Sequence, residues 1–364
     1  MLYNKKDFEG RKYENNHWGS EESLNDFCRK AFETNESNFW VTSAVDTSED
    51  RVSFMKMNEQ EQDIFLKCSI ILQQIDKNQS TNGMVELAKK TPNPAEEMVY
   101  MFQAGMEAVH SKSYNRINSS LTTSQEEQEY IDWAENNIYV QRVINFLFGK
   151  VQDSAKIEGI PGYLRSIAYS NTIEGYLFFS LFYQFLRTAR VENQMVKSLE
   201  IILLIMRDES VHHGFAGVIF NEYFTKLEKE EEEKGIPVED RETTKITNEL
   251  IEDFTFIHEL VGDMINHLYE PFGEKYKDEV IKYTNYNFNR LLRSLGFKNV
   301  FSDKDSEVRH VILADLNNVD TNADNFSMVG DTYYMMDYKP FVKTNISRIE
   351  RNLKKGSELV PKLR

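Results

Sequence analysis

Cysteine is almost missing from this 364-residue chain: Cys28 and Cys68 are the only two. That excludes a disulfide framework and a thiolate-bound metal, and it suits a reducing, cytoplasmic setting. Positive charge is in deficit, with 43 Lys and Arg against 59 Asp and Glu and a formal net charge of -16. Nucleic acid and anionic membranes are therefore not expected as partners, because both demand a positive face. Long hydrophobic runs are also lacking. The most apolar stretch, Gly175 to Leu186, is interrupted by Ser180 and Gln184 and is too short to span a bilayer. The N-terminus, M-L-Y-N-K-K-D-F-E-G, has no apolar core of signal-peptide length. Without thiolates, any metal must be held by oxygen and nitrogen ligands, which favours iron or manganese over structural zinc.

What the chain does have is 40% hydrophobic residues, enough for a substantial core. Residues 1–56 show little periodicity and are expected to form an arm over that core, with a short helix near Ser23 to Phe32. From residue 57 to 297 helical periodicity dominates. Asn58 with Glu61 forms a capping box opening a helix to about Asn78, with Asp76 near its end. Asn93 as N-cap followed by Pro94 starts the next helix cleanly. Ser124 with Glu127 begins another through Tyr139 and Phe148, and a further one runs from about Tyr163 to Arg190. The Gln194 to Glu233 region is helical, with a solvated acidic tail and Gly235 as its stop. Two more helices are expected near Thr243 to Tyr269 and Tyr276 to Leu295, before a tail over 298–364. No internal repeat of about 20–50 residues is visible. One all-α domain is the expected architecture.

Chemistry concentrates on two of these helices. Glu107 and His110 lie one turn apart on one face, with Tyr114 one turn further on, and Glu209 with His212 repeats the Glu-x-x-His spacing. Spacing alone is weak, since Glu14/His17 and Glu307/His310 also fit and account with these for four of the seven histidines. Context separates them: only Glu107/His110 and Glu209/His212 are embedded in long amphipathic helices. Two other helices carry Asp76 and Glu174. One carboxylate from each of two helices and Glu-x-x-His from each of two more is the ligand pattern of a ferritin-like dimetal-carboxylate bundle. Four carboxylates and two neutral imidazoles balance two divalent ions and leave positions open for dioxygen. Each residue also has a plainer reading. Glu174 is an ion-paired or outward carboxylate, Asp76 a helix-end aspartate, Tyr114 one core phenol among 18 tyrosines. Asp208 is either a salt-bridge partner of Arg207 or Arg165, or an acceptor that orients a ligand imidazole.

With these residues in place, the sequence resembles the small, radical-generating subunit of class I ribonucleotide reductase. The motifs that carry the likeness are I-D-K-N-Q at Ile75, M-E-A-V-H-S-K-S-Y at Met106, I-E-G-Y-L-F-F-S at Ile173 and R-D-E-S-V-H at Arg207. The resemblance implies that Asp76, Glu107 and His110 bind one metal and Glu174, Glu209 and His212 the other, with Glu107 and Glu209 bridging. It implies two iron ions, or two manganese ions as the alternative. Tyr114 matches the family's radical tyrosine, shielded by groups such as Phe178, Phe182 and Ile205. Trp40, Asp208 and His110 then form a path for coupled proton and electron movement to a separate large subunit, in which ribonucleotides are reduced. A homodimer is implied as well.

Two features depart from the family pattern. The chain finishes K-K-G-S-E-L-V-P-K-L-R, a basic end where an acidic or aromatic docking tail is usual, although Tyr333, Tyr334 and Tyr338 are candidate relays. M-E-A-V-H-S-K-S-Y leans toward the subclass that uses manganese with a flavodoxin-like activator, whereas I-E-G-Y-L-F-F-S leans toward the iron-only subclass. Two alternatives share the fold. An R2-like ligand-binding oxidase is disfavoured by Asp76, where a glutamate is expected, and by Tyr114 in its S-K-S-Y setting. A ferritin-like storage subunit needs neither a redox tyrosine nor so long a chain.

Overall fold

The computed structural model describes residues 23–318. The ends expected to carry Glu14, His17, Tyr333, Tyr334, Tyr338 and the basic terminus lie outside the described residues. Twelve helices are named below, and no strand occurs among the described residues.

Four long stretches form the bundle that carries the chemistry. The first is α3 (Glu59–Asn78), which opens on the expected capping box and continues through a π-helical segment, Gln79–Met84. The second, α5 (Pro94–Leu121), starts where Asn93 accepts a hydrogen bond from Ala95 N. The third reads as one helix in the sequence. It is α8 (Gly159–Thr172) and α9 (Phe178–Arg190) joined by a π-helical segment, Ile173–Leu177, that contains Glu174. The fourth is α10 (Val196–Glu233). Helix α3 packs on α5 and α9, and α10 closes the bundle by packing on α5, α8 and α9. The enclosed face is fully apolar at Ile75, Ile173, Phe178, Phe182, Ile202 and Ile205, all 0% exposed.

The remaining helices brace this frame. Helix α1 (Ser23–Asn38) lies on α5 and α10, so this part of the supposed arm is a longer helix than expected. A short α2 (Asp50–Phe54) follows, and α4 (Val85–Lys90) links the first π segment to α5. The single helix expected from Ser124 to Phe148 is two, α6 (Ser124–Asn136) and α7 (Ile138–Ala155). Asn137 breaks it: its backbone is extended and its side chain accepts from Tyr139 N and Val140 N, which starts a new helix. The capping box there is Thr123 with Glu126 rather than Ser124 with Glu127. On the outer side, α11 (Glu242–Leu268) packs on α7 and α12 (Glu274–Ser294); Gly235 just past α10 and Gly296 just past α12 take the left-handed backbone that stops those helices.

Two corrections concern the ends. The acidic tail of α10 is not wholly solvated: Glu231 is 5% exposed and accepts from Glu242 N and Thr243 Oγ1, capping α11 from outside. Past Phe297 the core continues, because residues 310–318 are helical, Ile312 and Leu316 are buried, and Arg190 holds Asp315 through two hydrogen bonds. Both cysteines are buried and free, and burial pushes the Cys68 thiol up to about 12.

The start of α10 has no cap of its own, since Met195 sits at φ 54 and offers no side-chain bond. Asp50 of α2 supplies one, accepting from Lys197 N at 3.1 Å and Ser198 N at 2.6 Å. Asp50→Ala should therefore destabilise the protein by about 1–2 kcal/mol. Chemical denaturation measures this, and an unchanged midpoint would show that α10 starts without the cap.

Candidate metal centre

Helix periodicity brings the six expected side chains together. Glu107, His110, Glu174, Glu209 and Asp76 are 0% exposed and His212 is 1% exposed. They form two overlapping groups, Asp76 with Glu107 and His110, and Glu107 with Glu174, Glu209 and His212; within each, candidate ligand atoms lie within 4.8 Å of one another. Glu107 belongs to both. Its Oε1 lies 2.8 Å from His212 Nδ1 and its Oε2 3.5 Å from His110 Nδ1. Glu209 does the same in reverse, with Oε1 at 2.9 Å from His110 Nδ1 and Oε2 at 3.3 Å from His212 Nδ1. Each of these carboxylates thus spans the two imidazoles, which stack with ring centroids 6.2 Å apart.

The polar atoms at the centre have no hydrogen-bond partners. Both oxygens of Asp76, Glu107 and Glu209, Oε2 of Glu174, and Nδ1 of both histidines are orphaned. Buried polar atoms are nearly always paired, and acceptors turned toward acceptors repel. His110 sharpens the point. Its Nε2 is 3.1 Å from Asp208 Oδ2, which fixes the proton on that nitrogen and leaves the Nδ1 lone pair facing two carboxylates. Only cations placed among these atoms relieve the arrangement, so the donor set fits the dimetal centre that the sequence implies, iron or manganese by its oxygen and nitrogen chemistry.

Protons take that role when metal is absent. Burial, aided by neighbouring Glu107, holds the Asp76 carboxyl well above its usual range, and burial does the same to Glu174. Burial alone would depress both imidazoles, but the carboxylates facing them outweigh it and raise His110 and His212 well above their ordinary value. Glu209 goes the other way: burial would raise it, yet Glu174 and the two imidazoles hold it below the usual carboxylate range.

The other expected residues are placed as follows. Trp40 Nε1 donates to Asp208 Oδ2 at 2.7 Å, and the Trp40 ring stacks on His110 with centroids 5.9 Å apart. Arg207 Nε lies 3.6 Å from the other Asp208 oxygen, whereas Arg165 pairs with Glu242 and Glu249 instead. Tyr114 is fully buried with its hydroxyl unpartnered, and burial followed by Asp76, Glu209 and Glu107 raises its phenol well above the ordinary value. Glu307 and His310 are exposed and stand outside the cluster.

Three buried residues escaped the sequence reading. Gln79 donates to Glu174 Oε1, and His213 Nδ1 meets Asn171 Oδ1 at 2.7 Å. A Cβ on Gly175 would lie 2.0 Å from His213 Nδ1, so that glycine is required by close approach. The available signals were Gln79, as the last residue of I-D-K-N-Q, and the doublet His212-His213.

Comparison with known proteins decides the family. The profile described as Ribonucleotide reductase, small chain, matches residues 24–308. The chain belongs to the ribonucleotide reductase small-chain family. Among its relatives, the ribonucleoside-diphosphate reductase subunit beta of Bacillus subtilis is 29% identical, covering 90% of this chain and 94% of that protein. Subunit beta nrdF1 of Mycobacterium tuberculosis is 29% identical, over 85% of this chain and 89% of the relative. The crystal structure of Streptococcus sanguinis dimanganese(II)-NrdF superposes with a TM-score of 0.73 at 27% identity, covering 84% of this chain and 100% of that one. The R2 subunit of Clostridium botulinum, at 20% identity and TM-score 0.68 over 81% of this chain and 88% of that one, shows the shared fold. The ferritin-like, all-α expectation thus holds. No helix among the described residues is long and apolar enough to cross a membrane.

The protonation pattern carries a prediction. Metal entering this cluster has to displace protons from groups with raised values, so adding Mn(II) or Fe(II) anaerobically to metal-free protein at neutral pH should release protons. Apparent affinity should fall as pH falls, because protons then compete better. A pH-stat titration with no proton release would contradict the assignment of cations to these atoms.

Proposed function

We propose that this chain is the radical-generating subunit of a class I ribonucleotide reductase. Asp76, Glu107 and His110 would hold one ion and Glu174, Glu209 and His212 the other, with Glu107 and Glu209 reaching both imidazoles. The observation that carries this reading is the pair of overlapping orphaned groups sharing Glu107 in the dry interior. A pair of bound iron or manganese ions supplies the oxidising power, drawn from dioxygen or an oxidant derived from it.

The protein's own groups do the rest. With the ions bound, Tyr114 would give one electron to the oxidised metal pair and its phenolic proton to the carboxylate cluster beside it, of which Asp76 acts on it most strongly, because a buried phenol cannot hold a positive charge. The neutral radical that results would have no hydrogen-bond partner among the described residues and would be closed off from bulk solvent, which protects it from reduction. Asp208 fixes the His110 tautomer and accepts from Trp40, giving an unbroken polar path from Trp40 to the centre. Along that path the oxidising equivalent leaves for a cysteine of a separate large subunit, where a ribonucleoside diphosphate is reduced to its deoxyribonucleotide. The working assembly pairs a homodimer of this chain with that large subunit, and a flavodoxin-like activator joins it when manganese is used. The relatives named reductase subunits disfavour the ligand-binding oxidase and iron-storage alternatives.

Low-temperature electron paramagnetic resonance of metal-loaded, oxidant-exposed protein tests the radical directly. Tyr114→Phe should abolish a tyrosyl signal while metal content stays unchanged; a persisting signal removes Tyr114 from the role. For the path, Trp40→Phe should leave metal content and radical yield near wild type but lower turnover with the large subunit by at least about 100-fold. Normal turnover in that variant would break the proposed path.

A further inference from the structure

Two π-helical segments flank the centre, Gln79–Met84 just after Asp76 and Ile173–Leu177 around Glu174. Such segments recur at functional sites because each re-aims a side chain that a regular helix would place elsewhere. One side chain ties these two together. Gln79, 0% exposed, uses its Nε2 to donate both to Ser170 Oγ at 2.7 Å and to Glu174 Oε1. The orientation of the amide is fixed by its partner, since turning the carbonyl toward a carboxylate would set acceptor against acceptor.

The seat for that amide is made by a glycine. A Cβ added at Gly83 would lie 2.0 Å from Gln79 Oε1 and 2.6 Å from its Cδ, yet it would meet no backbone atom among its nearest neighbours. Gly83 is not in the left-handed region, so its backbone can carry a side chain. Outside the helix's own backbone, the three atoms nearest that Cβ all belong to the Gln79 side chain.

The bond sorts the carboxylates of the centre. Glu107 and Glu209 have both oxygens unpartnered and each spans the two imidazoles. Glu174 has Oε1 committed to Gln79, which leaves only Oε2, 3.4 Å from His212 Nδ1, unpartnered. We propose that Gln79, seated by Gly83, is a positioning residue that restricts Glu174 to one ligating oxygen and thereby sets the affinity of the ion held with Glu209 and His212. This rests on the two-ion reading above. Gln79 touches neither reacting atom nor substrate, and acts through Glu174 alone.

The test is an anaerobic Mn(II) titration of the full chain, reading free Mn(II) by electron paramagnetic resonance, beside the thermal midpoint of the metal-free protein. Wild type is expected to bind two ions. Gln79→Leu and Gly83→Ala should each retain one ion and weaken the other by about 10- to 100-fold. Gly83→Ala discriminates best, because alanine in a helical segment holds or raises the midpoint while displacing the amide. Unchanged affinity for both ions in both variants overturns the proposal. So does loss of both ions with a fallen midpoint in both variants, which would make Gln79 a structural residue. A wild-type chain that takes up fewer than two ions fails the two-ion reading itself, and the proposal with it.

Discussion

Four carboxylates and two imidazoles face one another in an interior from which water is excluded, and their mutual repulsion is the constraint that the rest of the structure has to satisfy. Removing such groups from water costs several kcal/mol each unless a counter-charge meets them. Among the described residues no lysine or arginine forms an ion pair with these six side chains; Arg207 lies against the oxygen of Asp208 that does not face His110. The counter-charge must therefore be mobile, protons in one state and metal ions in another, and exchange between them is what makes the cluster a site.

The bundle exists to hold that repulsion in place. Tight apolar packing around Ile75, Ile173, Phe178 and Ile205 prevents the carboxylates from swinging out to water. Polar contacts then fix each group from behind: Asp208 on His110, Gln79 on Glu174 and Asp50 at the start of α10. In the proposed function the same dryness would serve the redox chemistry, since a fully buried phenol with no partner among the described residues is slow to be quenched. Structural cost and chemical function thus share one cause.

Much of this was legible in the sequence where the chemistry is local. The starts of α3 and α5 could be read from Asn58 with Glu61 and from Asn93 with Pro94, because a cap is made within a few residues. The Glu-x-x-His pairs declared a shared helix face, and burial then brought them together with Asp76 and Glu174. What was hidden depends on distant partners or on small backbone shifts. The π segments at 79–84 and 173–177 leave the apolar periodicity unbroken, so nothing marks them. Gln79 meets Glu174 across 95 positions, and Asp50 caps α10 across 148. The break at Asn137 was missed because apolar residues recur on both sides of it. The helix over 310–318 was missed because Ile312 and Leu316 make too short a stripe to stand out.

The central claim is that two cations occupy the space between these six side chains. Anomalous diffraction from crystals of the protein loaded with Mn(II), collected on both sides of the manganese absorption edge, tests it most directly. The account predicts two manganese peaks per chain, one against Asp76, Glu107 and His110 and the other against Glu174, Glu209 and His212, with Glu107 and Glu209 touching both. A single peak, or manganese bound only elsewhere on the chain while these side chains remain packed against one another, would contradict it.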